Sequence, residues 1–285
     1  MTKRAFHLRW IIPIVVAIGA LVAPTAAVAG TLTLHPAGFG PHSYASWKAN
    51  QGLPDSNPLT NQALFFQKDT NTSTNAAGVV LIRGLAGTAV KSLTGLSWDH
   101  RTDGHCGAGA PRWDIFVTGF SGTKYTLFLG CEAAAHADAG TDANGNNWCM
   151  DSYSGSTITS LGAQNASIPS TSLDDINAGT IRDLAIVFDE GNNEPAGANP
   201  PGCPPGPGSP GFVFLDNVTV TANGTTQVWT SAADNGSGGT AARSFGAITA
   251  YADLLPTPDQ IVAALTDLFP NVDPLSWVLY PNVLP

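Results

Sequence analysis

The densest group of side chains able to do chemistry lies in one short segment, residues 98–106, which reads WDHRTDGHC. Its aspartates and histidines could act as general acid and base, and its arginine could hold an anion. The segment leaves a strand-like run and enters a Gly-rich turn, so the same side chains could instead tie down the backbone of a polar loop. Both interpretations stay open, and the residues predicted to contact a ligand are Trp98, Asp99, His100, Arg101, Asp103 and His105.

A second group of oxygen-bearing side chains runs from Asp138 to Asp151, in the segment DAGTDANGNNWCMD. An EF-hand is excluded because Gly140 stands at the first ligand position and no helix is predicted on either side. A looser Ca²⁺ loop and an ordinary Asn/Gly turn both fit the composition. Trp148 lies in this polar stretch and is predicted to stack on a sugar ring, with half-buried packing as the alternative.

A third group of polar side chains stands at or inside two later apolar runs. Asp189 and Glu190 end one run, while Asp216 and Asn217 interrupt the other, FVFLDNVTV. A carboxylate on an apolar face is costly unless it is paired, hydrogen-bonded or metal-bound, and a β-bulge at Asp216-Asn217 would reduce that cost. We expect either that the Pro/Gly-rich loop at residues 191–211 donates backbone N–H bonds to Asp216, or that Asp189, Glu190, Asp216 and Asn217 form a Ca²⁺ site. An acid pair between these carboxylates is a further possibility.

Short strands must position these side chains. Residues Arg112–Phe120 and Lys124–Cys131 alternate apolar and polar side chains on either side of a Gly-containing turn, which predicts a β-hairpin. A first edge strand and a long loop are expected within residues 31–58. Residues 133–156 form a polar stretch without a predicted strand, and the Pro/Gly-rich residues 191–211 are predicted to lack regular structure. Further strands are predicted at Gln62–Lys68, Val79–Arg83, Leu93–His100, Ile181–Asp189, Phe212–Thr221, Thr226–Thr230 and Ala247–Tyr251.

Both ends of the chain differ from this strand-rich middle. A basic start, an apolar stretch of about 13 residues and the A-x-A site at Ala27-Val28-Ala29 predict a secretory signal peptide, since a membrane span needs roughly 20 residues. At the other end, Thr257-Pro258-Asp259-Gln260 predicts the start of a short amphipathic helix, followed by an apolar, Pro-rich tail. We therefore divide the chain into a signal peptide (1–29), a sandwich domain (30–252) and a C-terminal helix with its extension (253–285).

The four cysteines are expected to be oxidised, because an even number in an exported chain indicates disulfides. We favour the pairs Cys106–Cys131 and Cys149–Cys203. The absence of a C-x-x-C pair argues against the alternative, a zinc site. That alternative is kept because three histidines lie near these cysteines in the sequence, namely His100, His105 and His136.

The composition limits the class of protein and of partner. Charged residues make up only 12% of the 285-residue chain, while turn-forming and β-branched residues are abundant, which favours a two-sheet sandwich. The net charge of −9 argues against a nucleic-acid partner and against adhesion to anionic lipids. No stable membrane insertion is expected once the signal peptide is cleaved. The sequence leaves the oligomeric state open.

Two short segments carry a resemblance to known proteins. The run GFVFLDNVTV at 211–220 resembles the last-strand pattern of secreted bacterial jelly-roll modules, including carbohydrate-binding ones, and IVFDEG at 186–191 is similar to segments that accompany it in exported bacterial proteins of uncharacterised function. The resemblance implies a jelly-roll fold and glycan binding. It assigns no binding residue, because such modules place their sugar contacts in variable loops or on variable sheet faces.

Together these observations predict an all-β, two-sheet jelly-roll-like β-sandwich with a short C-terminal helix and an apolar tail. The leading hypothesis for function is a secreted, non-catalytic carbohydrate-binding protein, with Ca²⁺ as the candidate cofactor. One alternative is an extracellular glycan-acting enzyme that uses paired carboxylates. The other is a structural or surface-interaction protein that assembles through its apolar C-terminus.

Overall fold

The computed structural model describes residues 32–55, 61–163, 168, 170–195 and 200–234. These residues contain two short helices, α1 (Ser156–Ala163) and α2 (Leu173–Asn177), and three single 3₁₀ turns at Val90–Ser92, Cys131–Ala133 and Ser170–Ser172. The strands that they contain are β1 (Thr33–Phe39), β2 (Ser43–Ala49), β3 (Gln62–Lys68), β4 (Ala77–Arg83), β5 (Leu93–Arg101), β6 (Arg112–Thr118), β7 (Lys124–Gly130), β8 (Ala135–Thr141), β9 (Asn147–Ser154), β10 (Thr180–Phe188), β11 (Phe212–Ala222) and β12 (Thr225–Trp229).

The strands form two antiparallel sheets, and the chain crosses repeatedly between them. One sheet has five strands in the order β1-β4-β10-β6-β7. The other has seven, in the order β2-β3-β11-β5-β9-β8, with β12 also paired to β11. Because the chain passes from one sheet to the other several times, some neighbouring strands come from distant parts of the sequence, such as β4 beside β10 and β3 beside β11, while others form hairpins. The predicted all-β, two-sheet jelly-roll-like sandwich is confirmed.

The main core lies between the two sheets and is built from the inward-facing half of each strand. Its centre contains two stacked indoles, Trp98 of β5 and Trp113 of β6, whose ring centroids are 4.9 Å apart. Both side chains are fully buried. Strands present alternate side chains to opposite faces, so each strand of the seven-stranded sheet also presents a second set of side chains away from this core.

Most strand predictions are confirmed, and two are corrected. The hairpin forms as β6 and β7, and β3 has the predicted bounds Gln62–Lys68. Residues 31–58 were expected to hold one strand, but they contain both β1 and β2. The polar stretch 133–156 forms the hairpin of β8 and β9, although no strand was predicted there. Its alternation was hidden because β9 buries polar Asp151 beside Cys149 and Tyr153.

Both predicted disulfides are present. Cys106–Cys131 joins the segment after β5 to the end of β7, with Cα atoms 5.3 Å apart. Cys149–Cys203 pins the Pro/Gly-rich loop to β9, with Cα atoms 5.1 Å apart. In the described parts of that loop, residues 191–195 and 200–211, there is no helix or strand, as predicted.

Several predictions concern residues outside the described ranges. These are the signal peptide, the strand at Ala247–Tyr251, the helix beginning near Thr257 and the apolar tail. Among the described residues, no helix combines the length and apolar character needed to cross a bilayer.

Candidate functional site

The predicted ligand-binding segment is divided between two environments because most of it lies in β5. Trp98 and His100 point into the core, while Asp99 and Arg101 point to the opposite side, the outer face of the seven-stranded sheet. Asp103 follows in the turn after β5, at the edge of that face. The sequence thus places these side chains next to each other, but the strand separates them.

The inward side chains meet a buried carboxylate, Asp151 of β9. Its Oδ2 accepts bonds from Trp98 Nε1 at 2.7 Å and His100 Nδ1 at 2.5 Å, and its Oδ1 accepts one from His136 Nδ1 at 2.7 Å. Trp98, His100 and Asp151 are all fully buried. The structure therefore places Trp98 and His100 in a core network rather than on a loop that a glycan can contact.

The outward side chain of Asp99 faces Asp216, its register partner on β11. Asn217 connects the two, since its backbone N–H donates to Asp216 Oδ1 at 2.7 Å and its amide Nδ2 donates to Asp99 Oδ2 at 2.6 Å. The predicted bulge is confirmed, because the β11–β5 register shifts between Asp216 and Thr219 and Asn217 has φ +47°. Both carboxylates lie on the outer face, whereas Val218 returns to the core.

The loop between β2 and β3 covers this carboxylate pair. Leu53 N–H donates to Asp216 Oδ2 at 2.7 Å, so the backbone donor comes from this loop rather than from the Pro/Gly-rich loop. A Cβ at Gly52 would lie 2.5 Å from the same oxygen, which explains the glycine. Burial raises the pKa of Asp216 to about 7, although the bonds from Asn217 and Leu53 oppose the shift. Burial also raises the pKa of Asp99.

Arg101 is held rigidly on the same outer face. Its guanidinium donates to both carboxylate oxygens of Asp103, at 2.7 and 3.0 Å, and to Gln51 Oε1 at 2.7 Å. It also lies 3.8 Å from the ring centroid of Phe214, a cation–π distance. The carboxylate and the aromatic ring thus fix the guanidinium in one orientation.

A group of aromatic rings extends from Arg101 across the outer face to β2. Phe65 of β3 lies 4.6 Å from Phe214, 6.2 Å from Phe212 and 5.9 Å from Tyr44, measured between ring centroids. Lys48 Nζ lies 5.4 Å from the Tyr44 ring and 5.5 Å from the Phe65 ring. Tyr44, Phe65 and Phe212 are half-buried, so each keeps an accessible part. We call Tyr44, Phe65, Phe212 and Phe214 the aromatic row.

Trp148 also points to the outer face, but it is fully buried. Its indole Nε1 donates to Asp142 Oδ2 at 3.1 Å, and Asp142 Oδ1 accepts backbone bonds from Asn144 and Asn146 at 2.8 and 2.9 Å. The carboxylate therefore closes the β8–β9 turn through N–H donors, as expected for an ordinary Asn/Gly turn. The structure corrects the placement of Trp148 from an open loop to a packed strand position.

The four predicted metal ligands lie in three separate sets of contacts. Asp189 accepts a bidentate bond from Arg112 at 2.6 and 2.8 Å, and Glu190 is hydrogen-bonded to His105. His105, which was predicted to contact a ligand, is buried. Asp216 and Asn217 belong to the Asp99 network on the outer face. Asp189 and Glu190 are thus bonded to Arg112 and His105, and the fold does not bring the four predicted ligands together.

Sequence reasoning missed the aromatic row and the role of Asp151. The signal for the row is present: in QALFFQK and FVFLDN, Phe65, Phe212 and Phe214 occupy the positions that alternate with the core residues. With two apolar faces, such a strand appears as a continuous apolar run and the outer aromatics are easily assigned to the core. The signal for Asp151 is its alternation with Cys149 and Tyr153.

Comparison with known proteins gives only distant similarity. No protein-family model matches the sequence, and the search of curated proteins gives no match. Among solved structures, the family 11 carbohydrate-binding module of the cellulosomal cellulase Lic26A-Cel5E of Clostridium thermocellum matches with a TM-score of 0.30 and 11% identity over 68% of this chain and 91% of the module. A Clostridium thermocellum family 11 module in complex with a β-1,3-1,4-mixed-linked tetrasaccharide matches with a TM-score of 0.30 and 12% identity over 68% and 92%.

Proposed function

We propose that this chain is an exported, non-catalytic carbohydrate-binding protein whose binding surface is the outer face of the seven-stranded sheet. The observation that carries the proposal is the aromatic row beside an immobilised arginine. Sugar-binding sites combine an apolar surface for the C–H faces of the ring with a few fixed polar groups for the hydroxyls. The accessible parts of Tyr44, Phe65 and Phe212 supply the first requirement.

Fixed polar groups at both ends of the row supply the second requirement. At one end, Arg101 and Asp103 hold each other in a bidentate pair, and Asp103 remains partly exposed. At the other end, Lys48 lies beside two rings of the row. Because Arg101 and Asp103 are ordered by hydrogen bonds within the protein, a glycan would lose little free energy in ordering them.

Export is supported by the cysteines and by the N-terminal sequence. Both predicted disulfides link distant segments, and disulfides persist in oxidising compartments outside the cytosol. The A-x-A site at Ala27-Val28-Ala29 matches the requirement for signal cleavage. These two features carry the proposal that the sandwich acts outside the cell.

The glycan-acting enzyme is a second candidate, and one observation favours it. Asp99 and Asp216 face each other in register, and the raised pKa of Asp216, about 7, is a property of general acids. Against it, Asp216 is buried and both of its oxygens accept backbone N–H bonds. Release of reducing sugar from a bound glycan that is lost in Asp216→Asn would support this candidate. Intact glycan after long incubation would exclude it.

A glycan array probed with the mature protein, with and without EDTA, tests the proposal directly. We expect binding to a restricted set of glycans with no turnover. Loss of binding in EDTA with recovery on adding Ca²⁺ would support the predicted calcium requirement, and unchanged binding would remove it. Absence of binding to every glycan on the array would contradict the proposed function.

A further inference from the structure

The core contains a polar network that the proposed glycan face does not use. Its centre is Asp151, which is fully buried and accepts bonds from two histidines on its two different oxygens. His100 lies on the Oδ2 side and His136 on the Oδ1 side. A buried carboxylate shared by two imidazoles is an expensive arrangement for simple packing, because all three groups prefer water.

Each side of Asp151 also faces one of the two disulfides. On the Oδ2 side, ligand atoms of His100, Cys106, Cys131 and Asp151 all lie within 4.8 Å of one another. Cys131 Sγ itself is 3.3 Å from Asp151 Oδ2. On the Oδ1 side, ligand atoms of His136, Cys149, Cys203 and Asp151 satisfy the same limit. The paired cysteines are 25 and 54 residues apart in the sequence, so the ligands of each set come together only when the chain folds.

We infer that the reduced chain binds two zinc ions in these two sets, with Asp151 bridging them. Each set offers two thiolates, one imidazole nitrogen and one carboxylate oxygen, which are the four ligand types that tetrahedral Zn²⁺ takes in proteins. Zn–S bonds of about 2.3 Å and Zn–N bonds of about 2.0 Å place the ligands of one ion within about 4 Å of each other. The two sulfurs of each disulfide need to separate, while the other ligands are already in place.

The same four cysteines can form either two disulfides or, after reduction, two zinc-bound thiolate pairs. A phosphine reductant gives two electrons to each disulfide, the two sulfurs take up two protons from water, and the phosphine becomes its oxide. Each Zn²⁺ then displaces the protons of its two thiols to water, and each imidazole moves its proton from Nδ1 to Nε2, so that Nδ1 can bind the metal. The oxidised chain has no thiolate and does not bind.

Cobalt titration of the full chain, reduced with a phosphine, tests the inference, because tetrahedral thiolate-bound Co²⁺ has intense visible absorption. We expect two equivalents of Co²⁺ to bind, Zn²⁺ to displace them, and the oxidised chain to give no signal. His136→Asn should reduce the stoichiometry to one. Asp151→Asn should weaken both sites by about tenfold or more. The matched control is His42→Asn, since His42 is an exposed histidine outside both sets whose φ of +50° also suits Asn.

Three results would overturn the inference. The first is that the reduced chain binds no Co²⁺, and the second is that the oxidised chain binds Co²⁺ equally well. The third is that both His136→Asn and Asp151→Asn still bind two equivalents, which would mean that the thiols alone bind the metal. The double variant Cys106→Ser/Cys131→Ser removes one set and should retain one equivalent through the other. If that variant binds none although its far-ultraviolet circular dichroism is native, the assignment of the second set is wrong.

Discussion

Burial and hydrogen bonding together set the protonation of a single carboxyl at Asp216. Burial makes the charged form unfavourable and raises its pKa from 3.8 to about 7. The folded state therefore holds a proton that the unfolded chain has already lost at intermediate pH. The contribution of Asp216 to stability is fully present below the unfolded pKa and is lost as the pH rises through about 7.

This shift predicts how stability depends on pH. Between about pH 4 and pH 7, the free energy of unfolding of Asp216→Asn should rise relative to that of the wild type, because Asn cannot ionise. Denaturant unfolding at a series of pH values measures the difference. Asp175→Asn is the control: bonds from Ser121 and Tyr125 lower the pKa of Asp175, so its difference from the wild type should stay constant between about pH 4 and pH 7 and change, with the opposite sign, only at lower pH. Parallel curves for Asp216→Asn and the wild type would contradict the account.

Lys68 illustrates a different way of keeping a charge inside the protein. It is 1% exposed, and its ammonium donates to the carbonyl oxygens of Thr72, Thr74 and Asp189 at 2.9, 2.8 and 2.6 Å. Lys68→Met leaves three carbonyls without their donor and should lower the free energy of unfolding by at least about 3 kcal/mol. Lys124→Met, at an exposed lysine of β7, should change it by less than about 0.5 kcal/mol. Similar values for the two variants would show that the Lys68 contacts contribute nothing.

At the scale of elements, the bulge in β11 decides which side chains reach the outer face. Asn217 adopts a left-handed backbone and also donates to Asp99. Asn217→Ala removes the bond to Asp99 and strains the left-handed backbone, so it should lower the free energy of unfolding by about 1–2 kcal/mol. Asn217→Gly should lower it less, because glycine adopts this backbone conformation without strain. Asn223→Ala is the control, because Asn223 has φ +52° in the β11–β12 turn and contributes mainly backbone conformation. Equal effects of Ala and Gly at position 217 would mean that the left-handed backbone carries no cost.

The strands with simple patterns could be predicted from the sequence, and the mixed ones could not. The β6–β7 hairpin alternates cleanly around a glycine turn, and β3 is bounded by polar residues on both sides. In contrast, β9 buries Asp151 and exposes Met150, so the alternation of apolar and polar side chains is inverted there. The alternation of apolar and polar residues in a sequence predicts which side chains are buried only where the buried side chains are apolar.

The candidate site could be predicted less well than the fold, for the same physical reason. Its chemistry depends on cross-strand partners that are far apart in sequence, such as Asp99 with Asp216 and Phe65 with Phe214. The sequence identified Asp99, Arg101 and Asp103 as polar candidates and placed the bulge correctly. The predicted strand Leu93–His100 implies that Trp98 and Asp99 lie on opposite faces, but the sequence could not show which of the two faces the other sheet would cover.

For the whole molecule, we predict an exported chain in which every cysteine is paired. The mature protein isolated from its source should begin at Gly30 because cleavage follows the A-x-A site. It should take up no alkylating reagent until it is reduced, and then one label on each of its four cysteines. Intact-mass measurement before and after reduction checks both points. A retained Met1 start, or alkylation without reduction, would contradict the predicted export.

The affinity of one array-selected glycan for matched aromatic variants shows whether glycan binds at the outer face. Calorimetric titration should give Tyr44→Ala and Phe212→Ala at least about tenfold weaker binding than the wild type, since each loses an accessible ring of the aromatic row. Phe120→Ala should bind like the wild type, because Phe120 is 82% exposed but lies in the β6–β7 turn. Wild-type affinity in both row variants, or loss of binding in Phe120→Ala alone, would place the glycan elsewhere and contradict the account.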